Sequence, residues 1–529
     1  MTEQTAIAQL VATVAEEVAE GSLGGASQQA LEVIGRSPAV TVELLDLMIK
    51  EGAKEKADDN IVSTYGFLLG HALEQVRYDV DRGSPDGIAL AEELRQSLLD
   101  AGTSEHVSPS LMQLLLTLFA NAKLEMGDEL RNLMQRMIEA DNETDAAIEP
   151  DDWRKHLAQL VEGFDGDVFV IHSFLEDSLA TMPEDMRANF LTAAFFQGEP
   201  ALREAIAGFL CSEWSSVRFK IAEILQSTAS QGLVSPVMLR RMIAMRNWLP
   251  AEQRNALDRS IKTCRQSGVE CASWPTTEHG RVLATAVDGA GGLSILCILP
   301  DGHDHKVAGM FGKLDAGIRD CWVKPGVCQA ELEDIEARFL ADAPLQPAAF
   351  SYATDVTRYL LGVNVKAGRL PPFSLLGFAE AIGLDEINPI AMPVDHLVET
   401  LINAIPEEQL TPTAIDTAVS ESGEWLDQCP MLESWFEDSE EVRQRLAKRT
   451  SRKNKITWLL SGPLQQQRHF WAQLVAWTAF GIQKNADGSD WQSLSIVARE
   501  ILQDRPLDEI PLMHEIAATT VDIHQSDAA

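Results

Sequence analysis

Three acidic residues in the middle of the chain stand where elements of structure are predicted to begin or end. Asp288 ends a predicted strand and precedes a glycine-rich turn, and Glu331 lies at the start of a predicted helix. Asp355 follows the short apolar segment Ala349–Thr354. Carboxylates serve proteins as general acids and bases and as hard oxygen ligands for metals. These three residues are therefore candidate catalytic residues under one alternative interpretation, whereas the leading interpretation assigns no catalytic residue.

The order strand end, helix start, strand end resembles the ribonuclease H arrangement over about residues 281–398. The resemblance implies that Asp288, Glu331 and Asp355 hold two Mg²⁺ ions, which activate water and stabilise the leaving oxygen. The stretch Asn388–Asp395 could supply the last acid of that arrangement. In this alternative, the chain is a nucleic-acid-binding protein that carries a metal-dependent nuclease module.

Two further motifs near these acids predict structural features and no ligand site. The glycine-rich stretch Gly289–Gly292 is followed by the apolar run Leu293–Leu299 and not by a helix start, so it predicts a hairpin turn and not a phosphate loop. The stretch Asp301–His305, which contains His303 and Asp304, could donate to zinc together with the nearby Cys297, Cys321 and Cys328. Structural zinc sites usually pair ligands two to four residues apart, and the sequence has no Cys-x-x-Cys pair, so we predict no metal site there.

A repeat precedes this region in the sequence. Arg187, Arg218 and Arg254 each stand just before a predicted amphipathic helix, at spacings close to those of helix-pair repeats. The segments Met182–Arg187 and Leu249–Arg254 match each other closely. We expect these arginines to form structural hydrogen bonds between neighbouring repeats.

Over residues 182–268 this pattern resembles HEAT-type helical repeats, most clearly in Ser215–Leu225. Asp258 departs from the family pattern, because the repeat has a small apolar residue at that position. The resemblance implies an α-solenoid, in which each unit packs its apolar face on its neighbours and leaves long surfaces for partners. It does not by itself imply an activity.

Helix starts elsewhere in the chain carry recognisable caps. The pairs Ser108-Pro109 and Ser235-Pro236 each place a serine at the N-cap and a proline at the first helical position. The apolar residues that follow each pair recur at helical spacing. We therefore predict a helix beginning at each pair.

The hydrophobic period changes from helical to alternating after residue 280. The runs Arg281–Val287, Leu293–Leu299 and His305–Phe311 are separated by turn sequences and predict a three-stranded antiparallel meander. A helix is predicted over Gln329–Leu340 and another strand over Ala349–Ala353. Helices are predicted again from there to the C-terminus.

These elements together predict a mainly α protein, an irregular HEAT-like helical-repeat solenoid with a small central α+β module. We divide it into an acidic helical region over 1–150, basic repeats over 151–272, the α+β module over 273–360 and a C-terminal helical region over 361–529. The first boundary rests on the acidic, apolar-poor stretch Asp141–Asp152, which is typical of a solvated linker.

Charge is strongly segregated along this acidic chain. The formal net charge is −37, which disfavours non-specific attachment to nucleic acid or anionic membranes. Residues 1–185 carry a net charge of −24, whereas residues 187–265 carry +5. A second basic island, Arg443–Lys455, holds seven Arg and Lys residues and no acid. The two basic segments therefore predict an anionic partner.

The leading hypothesis from the sequence is a non-catalytic interaction scaffold or adaptor that binds protein partners through its helical-repeat surface and needs no cofactor. Nucleic acid is a further possible partner of the basic segments, whereas no membrane partner is predicted. The seven cysteines lack paired spacing, which predicts reduced thiols. The sequence shows no signal-peptide pattern and no long apolar run, so we predict a cytoplasmic protein. The candidate partner-binding residues are Arg240, Arg241, Arg246, Lys262, Arg449, Arg452 and Lys453.

Overall fold

The computed structural model describes most of the chain from residue 40 onward. Before residue 40 it describes residues 7, 11–15, 17, 27, 30–31 and 34. From there it describes residues 40–526 apart from 55, 82–83, 104–106, 123, 143–149, 181, 183, 278–279, 343–344, 429–431, 433, 448–450, 485–490 and 504. Most of the linker predicted over Asp141–Asp152 therefore lies outside the described residues.

The chain divides into two compact units, Met1–Ile206 and Ala207–Ala529. The finer division predicted at residues 150, 272 and 360 stays a prediction. The first unit is helical throughout its described elements. Their bounds are α1 Val40–Gly52, α2 Asp59–Asp81, α3 Pro85–Gly102, α4 Pro109–Asn121, α5 Gly127–Asn142, α6 Pro150–Gly163, α7 Val168–Ala180, α8 Glu184–Gln197 and α9 Pro200–Ala207, the last of which ends in the second unit.

The first five of these helices share one apolar core. Met48, Leu69, Leu94, Met112 and Leu130, one from each helix, are buried in it. Burial of such side chains is the main stabilising contribution to this helical region.

The serine caps predicted from the sequence are confirmed in both units. Ser108 accepts a hydrogen bond from the backbone N–H of Leu111 at the start of α4. In the second unit, Ser235 accepts one from the N–H of Met238. Each cap satisfies one of the N–H groups that a helix start leaves without a partner.

The repeat arginines have a common structural role. Arg187, Arg218 and Arg254 each donate to backbone carbonyls five to eight residues earlier, at the end of the preceding turn or helix. Arg203 does the same, although the sequence did not single it out. The predicted structural role is therefore found, and these acceptors lie in the adjacent stretch of chain.

The second unit combines helices with a five-stranded sheet. Three helices come first, namely α10 Ser215–Thr228, α11 Pro236–Met245 and α12 Ala251–Gln266. The central module follows as β1 Arg281–Thr285, β2 Gly292–Asp301, β3 Asp304–Lys313, β4 Gly317–Val327, α13 Gln329–Asp342, β5 Leu345–Pro347, α14 Phe350–Lys366 and α15 Ser374–Ile382. The C-terminal helices are α16 Val394–Asn403, α17 Pro412–Glu421, α18 Trp425–Gln428, α19 Glu440–Leu446, α20 Arg452–Ser461, α21 Pro463–Gln466, α22 Arg468–Lys484, α23 Trp491–Leu502 and α24 Pro511–Ser526.

The sheet is antiparallel, in the order β4-β3-β2-β1-β5, and both of its faces are covered. Leu296 and Ile298 of β2 pack with Leu332 of α13 on one face. On the other face, the Thr357 hydroxyl of α14 lies 3.5 Å from the Met310 sulfur of β3. This sandwiching explains why β2 is apolar almost continuously.

The predicted mainly α fold with a small central sheet is confirmed, and so is the three-stranded meander. The strand predicted over Ala349–Ala353 is wrong, because α14 begins at Phe350 and the strand lies earlier, at β5. The sequence did not indicate β4. That strand carries Pro325 and Gly326 at its end and lies at the sheet edge, where a missing N–H donor is tolerated.

The C-terminal helices bury large aromatic side chains. Trp435, Trp471 and Trp477 are fully buried in this part of the chain. None of the helices in the described part of the chain combines the length and the apolar character needed to cross a membrane.

Candidate functional site

Arg240 and Arg241 on α11 do not belong to an accessible surface, which corrects the sequence prediction. Their exposed fractions are 6% and 8%. Arg240 donates to Glu380 of α15 at 2.8 Å, and Arg241 donates to both oxygens of the same carboxylate at 2.9 Å. Arg240 also donates to the Ser273 carbonyl and lies over the ring of Trp274. Both guanidinium groups therefore tie α11 to the central module.

The charge of Glu380 is stabilised by this arrangement. Burial by itself raises the pKa of the Glu380 carboxyl, but the hydrogen bonds and charges of Arg241 and Arg240 outweigh burial and lower that pKa. Trp248 adds a neutral link, since its indole N–H donates to the Ile387 carbonyl at 3.0 Å. The pair Arg240 and Arg241 is structural, because a buried charge needs a partner of opposite sign.

The other two basic residues predicted in this region lie at an open cleft between α11 and α12. The cleft has a volume of about 430 Å³. Its lining combines two isoleucines with three bases, one acid and one amide: Ile243, Arg246, Asp258, Ile261, Lys262, Arg265 and Gln266. Arg246 and Lys262 were predicted from the sequence, whereas Arg265 was counted among the bases but not chosen as a site residue.

The amphipathic character of α12 sets the orientation of the cleft. Leu257, Ile261 and Cys264 are buried on its inner face. Lys262 and Arg265 are exposed and lie three residues apart, so they project on the same side of the helix. Two like charges at this spacing repel each other slightly, which an isolated helix would disfavour by a few tenths of a kcal/mol. Both cations are therefore accessible from solvent on that side of α12.

Asp258 reduces this positive charge less than its position suggests. It lies four residues before Lys262, a spacing at which an acid commonly pairs with a following lysine. Both of its oxygens are instead engaged by Arg246 of the facing segment, with Nη2 at 3.0 Å from Oδ2. The Asp258 hydrogen bonds raise the pKa of Arg246, which stays charged. Within the described residues, neither Lys262 nor Arg265 forms an ion pair.

Asp258 is the residue at which the sequence departed from the HEAT pattern. Its carboxylate holds the Arg246 guanidinium in the lining of the cleft. Arg246 also donates to the side chain of Asn247, which in turn donates to Asn388. The cleft is thus a defined feature built on rigid helices, with one neutralised acid and two exposed cations.

The second basic island is largely engaged within the chain. Arg452 makes a bidentate pair with Asp522, at 2.9 and 2.7 Å, so it is not a free anion-binding group. Lys453 is exposed at the start of α20 and stays a candidate. Arg449 lies outside the described residues. The predicted partner surface on this island is therefore reduced in the described part of the chain to Lys453.

The three candidate catalytic acids have separate structural roles. Asp288 caps the hairpin turn by accepting from the N–H groups of Ala290 and Gly292, at 2.8 and 2.7 Å. Glu331 pairs with Lys324 of β4. Asp355 lies within α14, not at a strand end, and pairs with Lys484 at 3.1 Å.

The carboxylate site implied by the ribonuclease H resemblance is not assembled. Among the residues that the structure describes, no three His, Cys, Asp or Glu side chains are grouped so that they could hold a metal ion. Asp355 is also the sixth residue of α14 and does not stand at the end of a strand, as the resemblance requires. We therefore find no geometric basis for placing Mg²⁺ on Asp288, Glu331 and Asp355.

Burial raises the pKa of Asp288, although the two N–H donors and Lys313 act in the opposite direction. A perturbed carboxyl can mark a catalytic acid. Here the hydrogen bonds to the turn account for the placement of the side chain, as they do in other aspartate-capped turns. The residue functions as a turn cap.

Two models of protein families match parts of the chain. The model described as Y4lR second domain matches residues 183–268, and the model described as Y4lR C-terminal helical domain matches residues 395–525. The first match contains all of α11 and α12 and hence the whole cleft lining. No solved structure matches the chain.

A comparison along most of the chain agrees with these matches. The chain is 24% identical over 463 residues to a protein of Sinorhizobium fredii named "Uncharacterized protein y4lR". The alignment covers 86% of this chain and 87% of that protein. This chain is thus similar to Y4lR over most of its length, and its α11–α12 cleft lies in the segment similar to the Y4lR second domain.

Proposed function

We propose that this chain is a non-catalytic adaptor that binds an acidic segment of a partner protein in the α11–α12 cleft. The observation that carries the proposal is the pair of exposed cations, Lys262 and Arg265, beside an isoleucine-lined hollow. An extended acidic segment with an apolar side chain fits both features, because carboxylates meet the cations while the apolar group covers Ile243 and Ile261.

A protein partner suits this surface better than nucleic acid. A nucleic-acid surface gains most of its affinity from many phosphate contacts, whereas this cleft offers only a few cations on a chain of net charge −37. Base stacking would also need exposed aromatic side chains in the cleft, and its lining contains none. The nuclease alternative has no specific observation in its favour.

The HEAT-like interpretation of this region and a cytoplasmic location are parts of the same proposal. The recurrent arginine hydrogen bonds at Arg187, Arg203, Arg218 and Arg254 support a repeated helical unit. The cysteines that the structure describes form no disulfide with one another, which fits a reducing compartment. An adaptor on a helical-repeat framework would use the outer surface of these helices for its partners.

The test is capture of the tagged 529-residue chain from its native cells, with and without nuclease treatment. The variant is K262E/R265E, and the control is R319E/K366E, which makes the same change in charge at two exposed bases outside the cleft. We expect wild type to capture one protein in near-stoichiometric amount, with or without nuclease. K262E/R265E should recover about tenfold less of that protein or lower, and the control should recover the wild-type amount. We also expect capture of that protein to weaken as salt is raised.

Two results would contradict the proposal. The first is equal recovery of the protein with wild type and K262E/R265E. The second is recovery of DNA or RNA that disappears on nuclease treatment, which would favour a nucleic-acid clamp.

A further inference from the structure

The first unit carries an apolar surface of a different kind, on the outer side of α7. We propose that this surface binds a basic amphipathic helix of a second partner protein. The inference goes beyond the proposed function, because it concerns another surface, another compact unit and a partner of opposite charge. It rests on the exposure, geometry and charge of the segment around α7.

Two opposite sides of α7 are apolar. Ile171, Leu175 and Leu179 are buried on the inner side, as expected for a helix that packs on its neighbours. Val170 and Phe174 lie on the outer side, one turn apart, with exposed fractions of 45% and 43%. A surface helix normally carries polar residues on that side. Exposed apolar side chains in adjacent positions are typical of interaction surfaces.

The turn before α7 adds a third apolar group to this pair. The Phe164 and Phe174 rings are 5.2 Å apart between centroids. The turn is held by Asp165 at φ 51° and Gly166 at φ 71°, both in the left-handed region. The Gly166 N–H donates to the Val161 carbonyl at 2.9 Å, which fixes the turn on the end of α6. The patch of Phe164, Val170 and Phe174, here called the α7 patch, is therefore preformed.

The charge around the α7 patch specifies the partner. Residues 157–186 contain seven acids and no Lys or Arg. Three exposed acids of this segment lie near the patch residues in the sequence: Glu162 and Asp165 stand on either side of Phe164, and Asp177 follows Phe174 by three residues on α7. An apolar patch within an acidic segment favours a ligand with apolar side chains on one side and cations around them.

The shape of the α7 patch favours a helix as that ligand. Val170 and Phe174 form a ridge along α7, one turn apart, with Phe164 beside it. A second helix can place its own ridge next to this one, which is the general way in which helices pack. Helical ligands of this kind are read by anchors spaced three, four and seven residues apart.

The test uses fluorescent peptides of about 18 residues and the full-length protein. The probe peptide has Leu and Phe at positions i, i+3, i+4 and i+7, with Lys in the remaining polar positions. A scrambled peptide of the same composition measures charge attraction alone. We expect V170S/F174S to weaken binding of the probe by about tenfold or more, as for loss of central apolar anchors. I88S, at a residue 51% exposed in the same unit, should leave binding unchanged.

A second variant keeps the test decisive if V170S/F174S does not fold. E162K/D165N leaves the α7 patch intact, retains a residue that tolerates the left-handed turn, and removes acidic charge. We expect this variant to bind the probe peptide more weakly and to show a smaller dependence of that binding on salt. The scrambled peptide should bind wild type and V170S/F174S equally and weakly.

Three results would overturn the inference. The first is equal binding of the probe and scrambled peptides to wild type. The second is unchanged binding of the probe to a V170S/F174S variant whose thermal transition is intact. The third is a wild type that is dimeric and a V170S/F174S variant that is monomeric. The last result would assign the α7 patch to a second copy of this chain.

Discussion

Replacement of Glu380 by Gln should destabilise the second unit severely, because it leaves two buried arginines without a negative partner. The side chains of Arg240, Arg241 and Glu380 are 7%, 9% and 13% exposed, so water cannot replace the lost charge. Removing one partner of a buried ion pair costs about 3–5 kcal/mol in other proteins. The three Glu380 hydrogen bonds of 2.8–2.9 Å place this site in that range.

The matched comparison is D258N at the cleft. Arg246 and Asp258 also form a bidentate pair, but their side chains are 40% and 38% exposed. A pair screened by water to that extent contributes roughly 0–1 kcal/mol. The two substitutions therefore remove the same kind of pair from the same region, and we expect their effects on unfolding to differ by several-fold.

Urea unfolding followed by tryptophan fluorescence measures this difference. Ten of the 11 tryptophans lie in the second unit, and Trp153 alone lies in the first, so the signal reports chiefly on the second unit. We expect E380Q to lower the urea midpoint by roughly 1 M or more, given the slopes usual for proteins of this size, and D258N to shift it only slightly.

The dependence on pH provides a second check on the same site. The pKa of Glu380 is lowered in the folded protein, so its contribution to stability is present above the unfolded pKa of about 4.3 and is lost as the pH falls through the folded pKa. The difference between wild type and E380Q should therefore be constant from pH 7 to about pH 5 and shrink below pH 4. Equal midpoints for E380Q and D258N at pH 7 would refute the structural role of the pair.

Three further substitutions test particular features. Burial lowers the pKa of His172 to about 4, although the hydrogen bond to the Ala205 carbonyl acts in the opposite direction. The folded wild type should therefore lose stability as the pH falls from about 6.5 to 4, whereas H172Q should lack this loss. Thermal unfolding measured over that pH range checks the difference. G166A should destabilise the first unit by about 1 kcal/mol, because Gly166 has a left-handed φ of 71° that alanine adopts only with strain. The control is G163A, since Gly163 has open space around it and no positive φ. Equal thermal midpoints for the two variants would contradict the left-handed conformation at Gly166. Because the pKa of Asp288 is raised, D288N should gain stability over wild type as the pH rises from 3 to 7, and a flat difference in chemical denaturation would count against its burial.

Local features of this fold could be predicted from the sequence. The Ser108 and Ser235 caps depend only on residues within one turn, so their types and spacing were sufficient. The meander was predictable because alternating apolar runs and turn residues are also local signals. Pro325 concealed β4, since a proline argues against a strand unless the strand is known to lie at an edge.

The candidate site could be predicted only in part, because its composition depends on contacts distant in the sequence. Glu380 is 139 residues from Arg241, and no local pattern links them. The one available signal was the setting of the two arginines in α11, where nearly every other residue is apolar and a polar face is missing. Asp258, noted in the sequence as an acid where a HEAT-type repeat has a small apolar residue, is the residue that pairs with Arg246.

The adaptor proposal is tested most directly by a photo-crosslinking residue placed at Gln266, which is exposed and lines the cleft. The same residue at Lys366, exposed and outside the cleft, is the control. We expect crosslinking in native cells to give one protein adduct at Gln266, with the crosslinked peptide rich in Asp and Glu, and no such adduct at Lys366. An adduct with nucleic acid, or the same set of adducts at both positions, would contradict binding of an acidic protein segment in the cleft.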